Sequence, residues 1–376
     1  MQLLLLTLFI YFINVPKVFA DRPSHSPQEL AKWGFKKFVP APPFSSFALS
    51  PAVLPQNLPL PLELKFTSEQ FGAVINQFQD WTSPAYYHAG IDIRGEEHQD
   101  VIAPVSGKLE GGFYSYVDEV DGRSTKYFLP LRDVLDGKAE PPWGKSYFEI
   151  AITDRNGFRF ELHHIDPDLL TANIKKRILE NSFVAAGEVL GQLVVWSRYL
   201  LGVRFHHLHY NVVSPDGIYL NPFAVSVSVS DSIAPQIVGL YSPILPERCG
   251  SGFPRLDPEN DLSKLANKGY LVVEAFDQIF AGKERLAPAK LQADFTAVDF
   301  FGWDFTQALE LPSGLRPNIS KMHLYYLCTD KGYLQPATRS NHFYYIIPLP
   351  AGYSGKVIIT ITDHAGNSTS KTATVL

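Results

Sequence analysis

Short runs of β-branched, aromatic and other apolar residues, bounded by Gly, Asn, Asp and Pro, recur between residues 63 and 226. Such runs favour strands, and the bounding residues favour turns. One stretch, 167–181, instead spaces Leu and Ile as a helix does and ends near Asn181. The pattern therefore predicts a mainly β region with one clear helix, and its strands are expected at 100–105, 147–152, 159–162 and 189–193.

A second series of strand-like runs follows a boundary near residues 230–235. The last run leads into a turn signal at 363–367 and then into an alternating polar stretch that ends at Val375, which predicts a terminal hairpin. Regularly spaced strands over this length are typical of a β-sandwich. The strands are expected at 236–241, 270–276, 322–327, 343–347 and 357–362.

The N-terminus differs from the rest of the chain. The apolar run from Leu3 to Val15 is followed by a small-x-small end at Ala20 and is shorter than the roughly 20 residues that a membrane span needs. We expect residues 1–20 to be a signal peptide, with a retained anchor as the alternative because no Lys or Arg precedes the run. The cleaved protein would be exported, to the periplasm, the cell envelope or the medium, without a transmembrane span.

Residues 21–62 are rich in Pro, Ser and Ala and favour a linker or pro-segment over a domain. Either this segment is a flexible tether, or it lies over an active cleft until it is removed. Residues 113–145 are polar, contain Gly and Pro, and are interpreted as a long insertion. The expected domains are therefore 63–230 and 231–376.

Composition narrows the function classes. With 45% hydrophobic and 19% charged residues the chain is expected to fold, and its net charge of -5 argues against a nucleic-acid partner, which needs a basic face. Cys249 and Cys328 could form a disulfide after export or remain thiols, and both readings stay open. Neither lies near the histidines in sequence, so a thiolate metal ligand is not expected.

Six of the eleven histidines lie at 88, 163, 164, 206, 207 and 209. Residues two apart on a strand share a face, so His207 and His209 can reach one point in space. His88 and Asp92 would be about 13 Å apart on an extended strand, so they can share a metal only if the chain bends, which Gly90 permits. Nitrogen and carboxylate ligands with room for water are typical of catalytic zinc.

Each of these motifs alone has a simpler explanation. His88 and Asp92 could be a surface residue and a turn residue, and His207 and His209 could be polar residues on an exposed face. One of His163 and His164 can face the same cleft as a general base, or both can have core or supporting roles. Serine-hydrolase, P-loop, dinucleotide and HExxH motifs are absent from the sequence, and turn chemistry explains the Asp-rich stretch at 363–367 better than calcium does.

Five segments, in order, resemble the LytM/lysostaphin-type zinc metallopeptidases of peptidase family M23 over roughly residues 70–226. The resemblance implies an antiparallel β-sheet peptidase domain that binds Zn²⁺ and cuts the peptide stems or cross-bridges of bacterial peptidoglycan. It implies that His88, Asp92 and His209 are the zinc ligands and that His164 and His207 are the catalytic histidines. The five segments are HAGIDI at 88–93, DVIAPVSGKL at 100–109, LHHI at 162–165, VAAGEVLG at 184–191 and HLHYN at 207–211.

The chain departs from the family pattern at several positions. Leu162 replaces a Tyr, His163 adds a second histidine beside His164, and Asn211 replaces a Glu that follows the second His of HLH. The stretch 196–205 is bulky and aromatic where small residues are usual, which predicts a reshaped groove.

The region from about residue 232 resembles bacterial immunoglobulin-like modules, chiefly in its terminal hairpin. The expected function is zinc endopeptidase activity, with a C-terminal β-sandwich that positions the enzyme or binds an envelope partner. The alternative is a non-catalytic LytM-like envelope protein that binds peptidoglycan or activates another wall hydrolase.

Overall fold

The computed structural model describes residues 26–38, 54–62, 74–76, 81–82, 86–118, 124–139, 147–194, 206–227, 230–241, 255–256, 270–279, 285–295, 301–306, 326–329 and 343–375. Within these ranges strands far outnumber helices, and every pairing between strands is antiparallel. The prediction of a mainly β fold is confirmed.

The N-terminal half is built around one large sheet. Its strands are β1 Lys36–Lys37, β2 Val74–Asn76, β3 Trp81–Thr82, β4 Tyr86–Tyr87, β5 Ile91–Arg94, β6 Asp100–Ile102, β7 Gly107–Asp118, β8 Ser124–Pro130, β9 Tyr147–Thr153, β10 Arg159–His163, β11 Phe183–Val184, β12 Val189–Gln192, β13 His207–Val213 and β14 Tyr219–Leu220. Ten of them form a sheet with the order β1-β8-β7-β9-β10-β13-β5-β2, in which β11 pairs with β7 and β14 with β13. Strands β6 and β12 form one separate pair, and β3 and β4 form another.

The central strands of this sheet have one apolar face and one polar face. Leu162 on β10 and Leu208 and Tyr210 on β13 are fully buried in the hydrophobic core. Because side chains alternate along a strand, the neighbouring residues His163 and His209 point to the opposite face, and they are paired across the two strands. The histidines of the candidate site therefore lie on the polar face of the sheet.

The sheet includes residues that the sequence pattern assigned to a polar insertion. Residues 113–118 continue β7, and residues 124–130 return as β8 beside it. Phe113 and Leu129 face the core, while Tyr114 and Lys126 lie on the polar face. The sequence pattern did not predict these two strands, because several of their residues are polar and line a buried charged face.

Short helices flank the sheet: α1 Pro27–Lys32, α2 Leu131–Leu135, a 3₁₀ turn Pro167–Leu169, α3 Ala172–Glu180 and α4 Pro222–Val225. The helix predicted over 167–181 is present as the 3₁₀ turn followed by α3. Thr171 caps its start by accepting a hydrogen bond from the backbone of Ile174, and Asn181 ends it in a left-handed conformation, with φ of 49°.

Two stretches of the Pro-rich segment 21–62 are packed against the rest of the chain. Helix α1 buries Leu30, and β1 pairs with the edge strand β8. Residues 54–62 bury Leu62 and bond through Leu58 to the backbone at Val225 and Val227. These contacts hold both stretches against the rest of the chain.

The C-terminal half contains two further antiparallel sheets. Its strands are β15 Gln236–Tyr241, β16 Arg255–Leu256, β17 Tyr270–Phe276, β18 Lys290–Phe295, β19 Phe301–Asp304, β20 Tyr326–Thr329, β21 Phe343–Pro348, β22 Gly355–Thr362 and β23 Ser368–Val375. The sheets have the orders β16-β15-β17-β21-β20 and β19-β18-β22-β23. The terminal hairpin expected around 363–367 is formed by β22 and β23.

Buried Asn221 joins the two halves. Its side-chain oxygen caps α4 through the backbone of Phe223, and its amide donates to the carbonyls of Phe305 and Thr306, 3.1 Å from each. Asn367 donates to the carbonyl of Asp231 at 3.1 Å. These contacts connect the first sheet to the loops of the C-terminal sheets.

Among the described residues, no helix is both long and apolar enough to cross a membrane. The expected signal peptide, Cys249 and the whole bulky stretch 196–205 lie outside the described residues, so these expectations stay predictions.

Candidate metal centre

His88 and Asp92 meet because the chain bends before β5. His88 precedes the strand, Gly90 lies in the bend, and Asp92 is the second residue of β5. A Cβ atom at Gly90 would lie 2.2 Å from Asn211 Oδ1 and 2.3 Å from the Tyr210 carbonyl oxygen. Only glycine therefore lets the bend approach β13. The result is a distance of 3.1 Å between His88 Nε2 and Asp92 Oδ1.

His209 completes a compact set of three ligand atoms. Strand β13 pairs with β5 so that His209 is opposite Asp92. His209 Nδ1 lies 2.8 Å from Asp92 Oδ1 and 2.9 Å from His88 Nε2. Ligand atoms on a tetrahedral zinc ion, at bonds of about 2.0–2.2 Å, lie roughly 3.3 Å apart. The three atoms are close to the spacing that such an ion requires, and their chemistry fits zinc.

His163 and His164 reach the same face by an unusual backbone conformation. Consecutive residues on a strand point to opposite faces. His163 is the last residue of β10, and His164 has a φ of 67°, in the left-handed region that non-glycine residues rarely adopt. This conformation turns His164 back toward the polar face, where its ring centroid is 6.3 Å from that of His163.

The two histidines contact different parts of the site. The ring centroid of His164 lies 4.7 Å from that of His207, which is the pair that the family resemblance implies to be catalytic. His163 packs instead against the expected ligand His209, at 4.8 Å between centroids. His207 Nε2 is 3.8 Å from Asp92 Oδ1 and so faces the ligand atoms. The structure thus brings all five expected site residues together, while their roles stay predictions.

Burial sets the charges of these groups. Burial opposes ionisation of Asp92, but the adjacent His88 and His207 and the hydrogen bonds from His209 and His88 hold its pKa well below the ordinary value. Burial lowers the pKa of His209 and of His163 to about 4, and that of His164 well below its ordinary range. At neutral pH the site therefore presents an ionised Asp92 beside uncharged His163, His164 and His209, and carboxylate and neutral imidazole are the forms in which such residues bind metals.

A second charged group, which we call the ion cluster, lies beside the metal centre. It consists of Glu149, Glu161, Lys126 and Arg159. The Lys126 ammonium donates to both carboxylates, at 2.7 Å from Glu149 and 3.1 Å from Glu161. Arg159 donates to Glu161 at 3.1 Å, is 3.4 Å from Glu149, and reaches outward to the half-exposed Glu110.

Lys126 remains charged inside this cluster. Burial alone would lower its pKa, but Glu149 and Glu161 raise it above the ordinary value. Burial works against the charge of Glu161, yet Lys126, His163 and Arg159 hold its pKa well below the usual range. Phe38 covers the cluster, since the Lys126 nitrogen lies 5.0 Å and the Arg159 guanidinium carbon 5.3 Å from its ring centroid.

Sequence reasoning missed the ion cluster. Its members lie on β8, β9 and β10, and they meet only through the register that pairs His163 with Glu149 and with His209. The available signal was a Glu within each of two otherwise apolar runs, YFEIAI at 147–152 and RFEL at 159–162. A carboxylate in a buried strand needs a cation as a partner, so each of these Glu residues predicts a Lys or Arg side chain nearby.

Three carboxylates in the C-terminal half also approach one another: Asp231, Asp277 and Asp363. Burial, with Asp363 nearby, raises the pKa of Asp231 to about 6. Asp363 accepts two hydrogen bonds from Asn367, both at 2.8 Å, and Asp231 accepts one from the backbone of Ile233 at 2.9 Å. These bonds shape the turns, in agreement with the sequence-based interpretation of 363–367 as a turn.

No family model matches this chain, and no curated protein matches it. Among solved structures the chain is similar to Csd3 of Helicobacter pylori, at 15% identity and a TM-score of 0.27, over 46% of this chain and 36% of that one. It is also similar to a chain of the SpoIIQ-SpoIIIAH pore-forming complex, at 14% identity and a TM-score of 0.28, over 46% of this chain and 92% of that one. Similarity of this size leaves the function to be argued from the site.

Proposed function

We propose that the chain is an exported zinc-dependent endopeptidase that hydrolyses peptide bonds in peptidoglycan stems or cross-links. The observation that carries this proposal is the convergence of His88, Asp92 and His209, whose three ligand atoms lie 2.8–3.1 Å apart on the polar face of the sheet. The adjacent pair His164 and His207 adds the groups that peptide hydrolysis needs. The substrate class follows from the LytM/lysostaphin-type resemblance of the five motifs.

The proposed roles follow from the chemistry of the side chains. His88 Nε2, Asp92 Oδ1 and His209 Nδ1 would hold zinc, and three protein ligands leave a position open. When bound, zinc supplies Lewis-acid activation of water and of the scissile carbonyl. The Asp92 carboxylate, whose pKa is held well below its ordinary value, would supply the negative charge of the site.

His164 and His207 would carry the proton transfers. His207 presents Nε2 toward the ligand atoms, so this nitrogen is placed to accept a proton from the attacking water. The same proton can then pass to the leaving amine. The His164 ring packs against His207, is uncharged at neutral pH, and can donate a ring N–H to the developing oxyanion.

The remaining parts of the proposal concern the whole chain. Residues 1–20 would direct export, 63–230 would form the peptidase domain, and 231–376 would form an immunoglobulin-like sandwich. That sandwich would position the enzyme or bind an envelope protein, and the contacts of Asn221 would hold it beside the peptidase domain.

The decisive experiment is hydrolysis of purified peptidoglycan by the zinc-loaded chain without residues 1–20. The released fragments would be identified by mass, beside His209→Ala and a matched control, His206→Ala. His206 precedes β13 and lies 3.4 Å from the Val194 carbonyl oxygen, away from the ligand set. We expect cleavage by the parent chain and the control but not by His209→Ala, and the fragments would name the bond.

A different result would select the alternative function. If the zinc-loaded parent chain releases no fragments but still sediments with peptidoglycan, the chain is a non-catalytic wall-binding protein. In that case its effect on an added wall hydrolase would be measured next.

A further inference from the structure

His163 is a buried histidine that the proposed reaction does not use. It is 1% exposed and lies between two rings. The His209 centroid is 4.8 Å away on one side and the Tyr114 centroid 4.6 Å away on another, both in edge-to-face arrangement. Contacts with two aromatic rings restrict the rotation of the His163 ring, so it can in turn restrict the ring packed against it.

The polar edge of His163 is also fixed. Its Nε2 atom is 3.5 Å from Glu161, 3.6 Å from Glu149 and 3.4 Å from the amide nitrogen of Asn211. Asn211 donates in turn to Glu161 at 3.2 Å. The two carboxylates are held by Lys126 and Arg159, so the ion cluster anchors His163 from behind.

Glu149, Glu161 and His163 also have the composition of a metal site, but a protein cation is already there. Their ligand atoms lie within 4.8 Å of one another. The Lys126 nitrogen is 2.7 Å from Glu149 and 3.1 Å from Glu161, where a metal ion would have to sit. The carboxylates of the cluster are therefore already paired with cations, and His163 lies between the cluster and His209.

We propose that His163 is a positioning residue that holds His209 in the orientation needed for metal binding, an inference that rests on the proposed zinc site. The last side-chain torsion of a histidine has a broad, roughly two-fold distribution, so a free ring can turn Nδ1 away from its partner. His209 must keep Nδ1 directed at Asp92 and His88. The His163 ring, packed against the His209 ring, opposes that rotation.

The size of the effect follows from measurements on other metal sites. Partners that orient a ligand typically contribute about 10–100-fold to metal affinity or activity. The proposal therefore predicts a change in metal affinity that does not depend on turnover. It also predicts that the aromatic ring of residue 163 matters more than its nitrogen atoms.

The test measures zinc affinity by competition with a chromogenic chelator and the visible spectrum of the Co²⁺-loaded chain, both without substrate. In His163→Gln, which keeps a polar group but loses the ring, we expect the zinc Kd to rise about 10–100-fold and the Co²⁺ bands to shift. In His163→Phe, which keeps the ring, most of the affinity should return. Glu180→Gln is the control, since the exposed Glu180 lies on α3, pairs with Lys176 at 3.9 Å, and should leave both readouts unchanged.

A second variant allows the proposal to be tested even if His163→Gln folds poorly. Tyr114→Leu removes the ring on the far side of His163 and should weaken zinc binding in the same direction by a smaller factor. The proposal is overturned if folded His163→Gln binds zinc like the parent chain, or if His163→Phe loses as much affinity as His163→Gln. If the parent chain itself binds no zinc, the proposed function fails, and this inference fails with it.

Discussion

The metal centre and the ion cluster lie side by side on one face of one sheet, and in each a buried carboxylate lies close to a histidine. They differ in their source of positive charge. Lys126 and Arg159 supply it to Glu149 and Glu161, whereas in the metal centre the anion Asp92 lies beside His209, which burial keeps uncharged. A buried group of carboxylates and histidines is therefore a candidate metal site when no Lys or Arg side chain is paired with its carboxylates, as Lys126 and Arg159 are in the ion cluster.

The largest expected effect comes from taking the protein cation away. Lys126→Met would leave two buried carboxylates without their ammonium, and breaking a buried ion pair in this way typically costs about 3–5 kcal/mol. We expect that loss in the free energy of unfolding measured by urea denaturation in EDTA. Lys138→Met is the control, because the pair of Lys138 and Asp136 is exposed, is screened by solvent, and should contribute little to the free energy of unfolding. Equal losses in the two variants would remove the distinction between the clusters.

The converse change removes the anion of the metal centre. Asp92→Asn keeps the volume of the side chain but leaves the site without negative charge. We expect the zinc Kd to rise by at least about 100-fold, the upper end of the loss seen when a mere supporting partner is removed. The measurement is chelator competition at pH 7. A Kd within a few-fold of the parent value would mean that zinc binds elsewhere.

Converting one cluster into the other gives a sharper comparison. Lys126→Ala in the Asp92→Asn background leaves Glu149, Glu161 and His163 around a vacated cation position. We expect this chain to take up a divalent ion such as Mn²⁺, with a gain in unfolding free energy of about 2.7 kcal/mol at an ion concentration of 100 Kd. Thermal melting with and without Mn²⁺ measures it. If Asp92→Asn alone gains as much, the ion is not using the ion cluster.

A separate prediction concerns the acid response of the metal-free chain. The pKa values of His163 and His209 are lowered to about 4 from an ordinary 6.5, so the folded state binds fewer protons than the unfolded state between these values. Their contribution to stability is complete above about pH 6.5 and is lost as the pH falls toward 4. Each kcal/mol lost lowers the melting midpoint by about 2–4 °C in a domain of this size.

A set of melting curves in EDTA from pH 7 to pH 4 measures this response. The His163→Phe variant should show a shallower decline, because one of the titrating groups is gone. Glu161 behaves differently, since its lowered pKa preserves its contribution until the pH falls below the ordinary carboxylate range. A decline that is the same in both chains would assign the acid response to groups outside the polar face.

The sequence was informative about strands with long apolar runs and less so about strands with many polar residues. The runs at 147–152 and 159–162 form β9 and β10, whereas β7 and β8 were not predicted as strands. Lys126 illustrates the reason. From the sequence alone Lys126 would be expected on the surface, but in the fold it is buried beside Glu149 on β9 and Glu161 on β10.

The residues of the candidate site could be predicted from local patterns in the sequence. His207 and His209 share a face through strand period alone, and Gly90 indicated the bend between His88 and Asp92. What could not be read was which of His163 and His164 faces which partner. That choice depends on the left-handed backbone at His164, a conformation that tertiary contacts impose.

The position of β13 between β5 and β10 has a consequence for the order of events during synthesis. The proposed ligands His88 and His209 are separated by 121 residues in the chain and become neighbours only when β13 enters the sheet. Contacts of such long sequence separation form late, because a large loop must close before they contribute. A nascent chain that has not yet released β13 holds only two of the three ligands. Metal uptake would then follow completion of the sheet, so a zinc-loaded chain is one whose central strands have already been assembled.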